Sequence, residues 1–278
     1  MTAFKKILVP TDFSACSKNA LINAVALAKE TKSELLVLHA YYESIVSSEV
    51  GIGTVIPNMT DEFEKNARKE YKKLKQEIPA LKDIKYHFMT KHGITCESII
   101  STCAANDMDL IIMGTQGASG FEEVVLGSNT YDVIKKAHCP VLAIPQGSNI
   151  YDIKKIAFGG DYKKIEDMSK VLKPLIQIAH LYSAEIHVLH IDDEDALSSD
   201  EFHEAKKLER YLKNTLHSYH FDINKNIIEG IDTYVSENEI DLLVLIPHKR
   251  KLFEKIYRKN ITKKLVFHTK TPFMTLNT

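Results

Sequence analysis

The 278-residue sequence lacks the features that mark membrane-spanning, secreted and nucleic-acid-binding proteins. No apolar run approaches the roughly 18 residues of a membrane helix, and no signal peptide precedes the first strand-like segment. Lys and Arg number 36 against 37 Asp and Glu, so no net charge would draw the chain to nucleic acid or anionic lipid. We therefore expect a cytoplasmic protein with neither a membrane nor a nucleic acid as partner.

Metal-binding and disulfide patterns are also missing. No Cys-x-x-Cys pair occurs, so the cysteines provide neither a zinc site nor a disulfide framework. His187 and His190 are predicted to face opposite sides of a strand, and His217 and His220, which could share a helical face, lack a third ligand. We predict no metal site. Four cysteines are interpreted as reduced and mostly buried thiols: Cys16, Cys96, Cys103 and Cys139.

What the sequence does contain is an internal repeat. Residues 5–12 return as 154–161, residues 34–39 as 185–190, and residues 109–113 as 241–245. Each of these apolar blocks is short, rich in Ile, Leu and Val, and nearly continuous, as in strands that are buried on both faces of a parallel sheet. Helical patterns with a spacing of three to four residues separate the blocks.

Strands that alternate with helices predict two tandem α/β domains, each with a doubly wound parallel sheet. We place these domains at residues 1–147 and 151–278, with a short polar linker between them. Residues 41–60 have no clear periodicity, and a loop of that length is either functional or disordered. Its position after the second strand suggests a lid.

Two stretches of the first half are predicted to meet beyond the carboxyl ends of the strands, where open parallel sheets bind ligands. Pro10-Thr11-Asp12 closes the first strand. Gly114-Thr115-Gln116-Gly117 follows the fourth strand, and after nine residues comes Gly127-Ser128-Asn129, which opens a helix. Glycines permit sharp turns and close approach of backbone N–H groups to a phosphate, and a helix N-terminus suits the same anion. Tight turns alone are the simpler alternative.

This pattern resembles the ATP-binding signature of universal stress proteins, and Cys139-Pro140-Val141 before the last strand matches too. The resemblance covers residues 4–146, and the repeat extends it to a tandem member with the fold of adenine-nucleotide α-hydrolases. It implies ATP, with Mg²⁺, as the ligand. It also implies the contact residues: Pro10, Thr11, Asp12, Leu38, His39, Met113, Gly114, Gly117, Gly127, Ser128 and Asn129.

The resemblance also implies that the two domains pair through their last strands as an internal pseudo-dimer. These strands are expected near residues 141–144 and 273–276. A further homodimer and an unknown regulatory partner stay open.

The second half departs from the signature. Where the first half has Gly114, Gly117 and Gly127, the second has Ile246, Lys249 and Lys259, in a basic stretch over residues 249–259. We therefore expect no nucleotide in the second domain. The basic stretch is most simply a solvated surface, although it could contact an anion or an acidic partner.

The leading interpretation is an ATP-binding regulatory protein of the stress response. The first alternative is an enzyme of the same fold that uses ATP for slow hydrolysis or substrate activation. Glu122 and Glu123 would be the acidic candidates in its loop, but no catalytic residue is assigned. The other alternative is an interaction module for which the nucleotide is a folding ligand.

Overall fold

Strands and helices alternate along most of the computed structural model, which describes residues 4–42, 58–116, 127–159, 165, 167–192, 198–246 and 271–277. In the first half the elements are β1 (Lys6–Pro10), α1 (Ala15–Thr31), β2 (Glu34–Tyr41), α2 (Asn58–Glu77), a short 3-10 helix (Pro79–Asp83), β3 (Lys85–His92), α3 (Thr95–Ala105), β4 (Leu110–Gly114), α4 (Ser128–Lys136) and β5 (Val141–Ile144). The second half contains β6 (Lys155–Gly159), α5 (Met168–Tyr182), β7 (Glu185–Asp192), α6 (Ser199–Leu212), β8 (His217–Ile223), α7 (Ile227–Glu237), β9 (Leu242–Leu245) and β10 (Phe273–Thr275).

The ten strands of the described residues form one sheet in the order β3-β2-β1-β4-β5-β10-β9-β6-β7-β8. Within each half, neighbouring strands are parallel, and the strand order reverses beside the first strand of that half. The central strands are buried on both faces because helices cover both sides of the sheet. The predicted doubly wound architecture is confirmed.

The two halves join where β5 runs antiparallel to β10, with Ala143 opposite Phe273 and Val141 opposite Thr275. The amide of Asn277 adds two hydrogen bonds across this seam, to the carbonyl oxygens of residues 137 and 139, at 2.7 and 2.9 Å. Pairing through the last strands, as expected of a pseudo-dimer, is thus confirmed.

The repeat extends to individual hydrogen bonds. Asp109 accepts hydrogen bonds from the backbone N–H groups of residues 5–6 through one carboxylate oxygen, at 2.8 and 3.0 Å. Asp241 accepts the same pair of bonds from residues 154–155, at 2.7 and 2.9 Å. The conserved geometry explains why an aspartate precedes the fourth strand in both copies.

The predictions for the cysteines and for two of the histidines have different outcomes. All four cysteines are free and buried, as predicted. His217 and His220, however, lie on the edge strand β8 and not on a helix. The helical interpretation was wrong because β8 is polar and partly exposed, so its sequence lacks the continuous apolar run of an inner strand, and pairing with β7 defines it instead.

Candidate functional site

A cavity of about 170 Å³ opens at the carboxyl ends of β1, β2 and β4, beside the N-termini of α1, α3 and α4. This is where the strand order reverses in the first half, because β2 and β4 flank β1 on opposite sides. The cavity is lined by Pro10, Thr11, Asp12, Ser17, Leu38, Ala40, Thr95, Ile99, Met113, Gly114, Gln116, Gly127, Ser128, Asn129 and Thr130. The structure thus brings together nine of the eleven residues named from the sequence.

The other two are His39 and Gly117. The His39 imidazole is 2.8 Å from the carbonyl oxygen of Thr11 through Nδ1 and packs on Phe13, with ring centroids 4.5 Å apart. It does not line the cavity, because successive side chains of β2 alternate between the faces of the sheet and the neighbouring Leu38 takes the cavity side. Gly117 lies outside the described residues, as do Glu122 and Glu123.

A tight turn after β1 orients Asp12. The Oδ1 atom of Asp12 accepts hydrogen bonds from the backbone N–H and the hydroxyl of Ser14, at 3.0 and 2.6 Å. Ser14 is also the N-cap of α1, since its side chain accepts a bond from the backbone N–H of Ser17. Phe13 bends the chain between them with a φ of 64°. The carboxylate is therefore held in place by the start of the helix that follows it.

The N-terminus of α4 is fixed beside the end of β4. The N–H of Gly127 donates to the carbonyl oxygen of Thr115 at 2.7 Å, and the Thr130 hydroxyl donates to the carbonyl oxygen of Gly114 at 2.9 Å. In α-helical geometry the N–H groups of residues 128–130 have no acceptor within the helix. The first turn of α4 contains no acidic residue. These N–H groups and the helix dipole make this wall of the cavity favourable for an anion.

The structure gives Gly114 a packing role that the sequence did not indicate. A Cβ atom at residue 114 would lie 2.7 Å from the sulfur of Cys16 and 3.0 Å from its carbonyl carbon and oxygen. Gly114 therefore allows the first turn of α1 to approach β4. Gly127 has a φ of −61°, which any residue can adopt, so no positive φ requires glycine there.

Six lining residues were not predicted as site residues: Ser17, Ala40, Thr95, Ile99, Gln116 and Thr130. Ser17 lies in the first turn of α1, shortly after Pro10-Thr11-Asp12, and Thr130 follows Ser128 and Asn129 in the first turn of α4. Ile99 belongs to an apolar stripe that the sequence indicates as core, and it is indeed 1% exposed. Only the packing of α3 against α4 and β2 shows that this stripe also reaches the cavity.

The chemistry of the cavity is divided between its two ends. Leu38, Ala40, Ile99 and Met113 supply an apolar surface, and the start of α4 supplies N–H, hydroxyl and amide donors. Among the described lining residues, Asp12 is the one ionisable side chain. Such a cavity can hold an apolar ring at one end and an anionic group at the other.

The corresponding place in the second half is filled differently. A Cβ atom on Gly159 at the end of β6 would lie 2.7 Å from a side-chain methyl group of Leu245, and Ile246 after β9 is buried. Residues 160–164 and 247–270 lie outside the described parts of the chain, and with them Asp161 and the basic stretch 249–259. No group of three or more metal-binding side chains occurs in the described residues of either half. No described helix is both long and apolar enough to cross a membrane.

Comparisons with known proteins identify the family to which the sequence of the first half is related. A sequence model described as the universal stress protein family matches residues 3–145. A universal stress protein of Methanocaldococcus jannaschii is 36% identical over 146 residues, covering 51% of this chain and 82% of that protein. The protein YxiE of Bacillus subtilis is 35% identical over 146 residues, covering 51% of this chain and 99% of its own length.

The likeness in fold extends over both halves. The crystal structure of a universal stress protein from Archaeoglobus fulgidus matches with a TM-score of 0.75 at 18% sequence identity, and the match covers 99% of this chain and 97% of that one.

Proposed function

Because the chain belongs to the universal stress protein family, we propose that its first half binds ATP in the cavity between β1, β2, β4 and the start of α4. The observation that carries this proposal is the fixed N-terminus of α4. Its first turn combines N–H groups that have no acceptor within the helix, the Ser128 hydroxyl and the Asn129 amide at one wall of the cavity, with no carboxylate in the turn. A triphosphate would gain hydrogen bonds and a favourable dipole there.

The opposite end of the cavity suits an adenosine. Leu38, Ile99 and Met113 would bury the base, and Asp12 would accept hydrogen bonds from the ribose hydroxyls. The bonds from Ser14 to Oδ1 hold the Asp12 carboxylate before any ligand arrives, so little side-chain entropy remains to be lost on binding.

Mg²⁺ would enter with the phosphates. This ion keeps several of its waters and commonly binds through substrate phosphates and one or two carboxylates, so a dedicated cage of protein ligands is unnecessary. The described residues, which hold no such cage, are compatible with that mode.

We propose that the second domain, residues 151–278, binds no nucleotide in this manner. Ile246 stands where Gly114 admits α1, and Lys249 and Lys259 replace the glycines of the phosphate loop. The domain would instead complete the pseudo-dimer by covering β5 with β10.

A regulatory role in the cytoplasm, in which a partner recognises the nucleotide-bound state, agrees better with the cavity than catalysis does. A hydrolase needs a base or electrophile beside the phosphates, and Asp12, the ionisable residue among the described lining residues, is committed to Ser14 at Oδ1. We expect hydrolysis to be slow or absent.

Parallel measurements of binding and turnover test this proposal. In thermal melts, ATP with Mg²⁺ at about 100 times its dissociation constant should stabilise the chain by about 2.7 kcal/mol. The same samples, followed for phosphate release, should show little turnover. Sustained turnover would favour the enzyme, and an unchanged melting temperature at millimolar ATP would eliminate the site.

A further inference from the structure

Two buried thiols face each other near the C-terminal ends of α3 and α4, beside the amino end of β5. The sulfur atoms of Cys103 and Cys139 lie 3.1 Å apart, and the two residues are 7% and 8% exposed. Cys103 belongs to the last turn of α3, and Cys139 lies in the segment that joins α4 to β5. The cysteine spacing in the sequence does not reveal this contact, because 36 residues separate the two positions.

We propose that Cys103 and Cys139 are an oxidation site that forms a reversible disulfide when a hydroperoxide reaches the protein. The bond would tie the end of α3 to the segment after α4. These are the two helices that contribute Thr95, Ile99 and residues 128–130 to the cavity.

The reaction balances with a peroxide as oxidant. The Cys103 thiolate attacks one peroxide oxygen, the O–O bond breaks, and hydroxide leaves to become water, so that Cys103 becomes a sulfenic acid. The Cys139 sulfur then attacks the Cys103 sulfur and displaces the hydroxyl group, which leaves as a second water with the Cys139 proton. Two thiols are oxidised, one peroxide is reduced, and an external thiol can reverse the change.

The two cysteines differ in the direction in which their thiol pKa values are shifted. The two sulfur atoms share a hydrogen bond in which either thiol can be the donor, and donation by Cys139 lowers the pKa of Cys103. The same contact, together with burial, raises the pKa of Cys139. Cys103 is accordingly assigned as the attacking thiol and Cys139 as the resolving thiol, and the disulfide is the same product whichever of the two is oxidised first.

The backbone holds both residues in place. The carbonyl oxygen of Cys103 accepts a bond from the N–H of Met108 at 3.1 Å, and that of Cys139 accepts one from the Asn277 amide at 2.9 Å. A disulfide bond is about 2.05 Å long, so the sulfurs must approach by roughly 1 Å, within reach of small side-chain rotations.

The other two cysteines provide an internal comparison. Cys16 directs its sulfur to the carbonyl oxygen of Ile144, at 3.7 Å, and Cys96 is buried in the first turn of α3. Burial raises the pKa of Cys96. Neither has a second sulfur beside it in the described parts of the chain. Because a disulfide needs a neighbouring thiol, we expect both to remain thiols.

Peptide mapping of the folded full-length protein tests the proposal. After treatment of the folded protein with hydrogen peroxide, and alkylation in denaturant without reduction, the peptides of Cys103 and Cys139 should be linked, and those of Cys16 and Cys96 alkylated. The linked protein should melt about 4 °C or more higher than the reduced protein, because the cross-link restricts the unfolded chain. Dithiothreitol should reverse both changes.

Two variants distinguish a disulfide between Cys103 and Cys139 from oxidation at other residues. The rise in melting temperature should disappear in Cys103→Ser and persist in Cys96→Ser, which leaves the pair intact. The proposal is wrong if Cys103 and Cys139 of peroxide-treated wild-type protein are alkylated in denaturant, and not linked, after other residues have been oxidised. It is equally wrong if Cys16 or Cys96 appears in the linked peptides as often.

Discussion

Leu142 of β5 lies directly opposite Met274 of β10, and these two residues occupy the same position in the two copies of the repeat. On either side of them, each residue of β5 faces the repeat counterpart of the other: Val141 faces Thr275, and Ala143 faces Phe273. A pseudo-twofold axis therefore passes between Leu142 and Met274. Each half closes the exposed edge of the other, as the subunits of a symmetric dimer would.

The buried seam predicts that Met274→Ala lowers the free energy of unfolding by about 2–5 kcal/mol, the usual cost of emptying a core position. Met274 is fully buried, and its side chain belongs to a core that extends through both halves. Urea unfolding followed by two probes, one in each half, checks this. Loss of stability in the second half alone would show that the seam does not couple the halves.

Gly114→Ala should destabilise the protein by about 1–3 kcal/mol, because the new methyl group would overlap the backbone of Cys16. Gly127→Ala is the comparison variant: its φ of −61° accepts alanine, and we expect a smaller loss of about 0.5–1 kcal/mol because alanine is a poorer N-cap than glycine. Denaturant melts of the two variants give the comparison. Equal stabilities would mean that α1 does not require glycine at residue 114.

Asp12 is predicted to recognise ribose hydroxyls. Wild-type protein should bind ATP more tightly than deoxy analogues, and Asp12→Asn should remove most of that preference, at a cost in ATP binding of about 1–3 kcal/mol. Asparagine keeps an oxygen that can accept the bonds from Ser14, so the turn should survive. Titration of both proteins with ATP and its 2′- and 3′-deoxy forms tests this. An unchanged preference in the variant would place the ribose elsewhere.

Asp232 should make stability depend on pH. Burial raises the pKa of this carboxyl on α7 to about 7, and its Oδ2 atom has no hydrogen-bond partner among the described residues. The native state therefore holds a proton that the unfolded chain releases near pH 4, and stability falls as the pH rises from about 4 to about 7.

Asp232→Asn removes this dependence, because an amide does not ionise. At pH 8 the variant should be more stable than wild type by about 1–2 kcal/mol, a value reduced for the partial exposure of the group, and near pH 4 the two should be equal. Urea unfolding at both pH values measures the difference. A variant that is less stable than wild type at pH 8 would contradict this account of Asp232.

The sequence predicts the inner part of each sheet well, because continuous apolar runs such as those of β1 and β4 suit burial on both faces. It also predicts which loops meet, since the carboxyl ends of parallel strands share one edge. Prediction from the sequence fails where contacts between distant segments determine the orientation of a side chain or the type of an element. Successive side chains of β2 point to opposite faces of the sheet, so His39 points away from the cavity that Leu38 lines. The edge strand β8 lacks an apolar run, so its sequence does not indicate a strand.

Contacts between distant segments are hidden in the same way. The close approach of Cys16 to Gly114 explains a glycine that resembles a phosphate-loop residue, and nothing local indicates it. The contact between Cys103 and Cys139 likewise depends on how α3 packs beside the entry to β5. Contacts of this kind can be identified only from the tertiary structure.

The most direct test of the central claim is a calorimetric titration of ATP with Mg²⁺ into wild-type protein and two charge-matched variants. Asn129→Asp places a carboxylate in the first turn of α4, which favours the helix by about 0.3–1 kcal/mol but repels phosphate. Ser169→Asp places the same charge at the second residue of α5, a helix that also has no acidic residue in its first turn.

The account predicts one ATP per chain for wild type and for Ser169→Asp. For Asn129→Asp it predicts an affinity at least about tenfold lower, without loss of thermal stability. Two equivalent sites per chain, or full affinity in Asn129→Asp, would contradict a single nucleotide site at the start of α4.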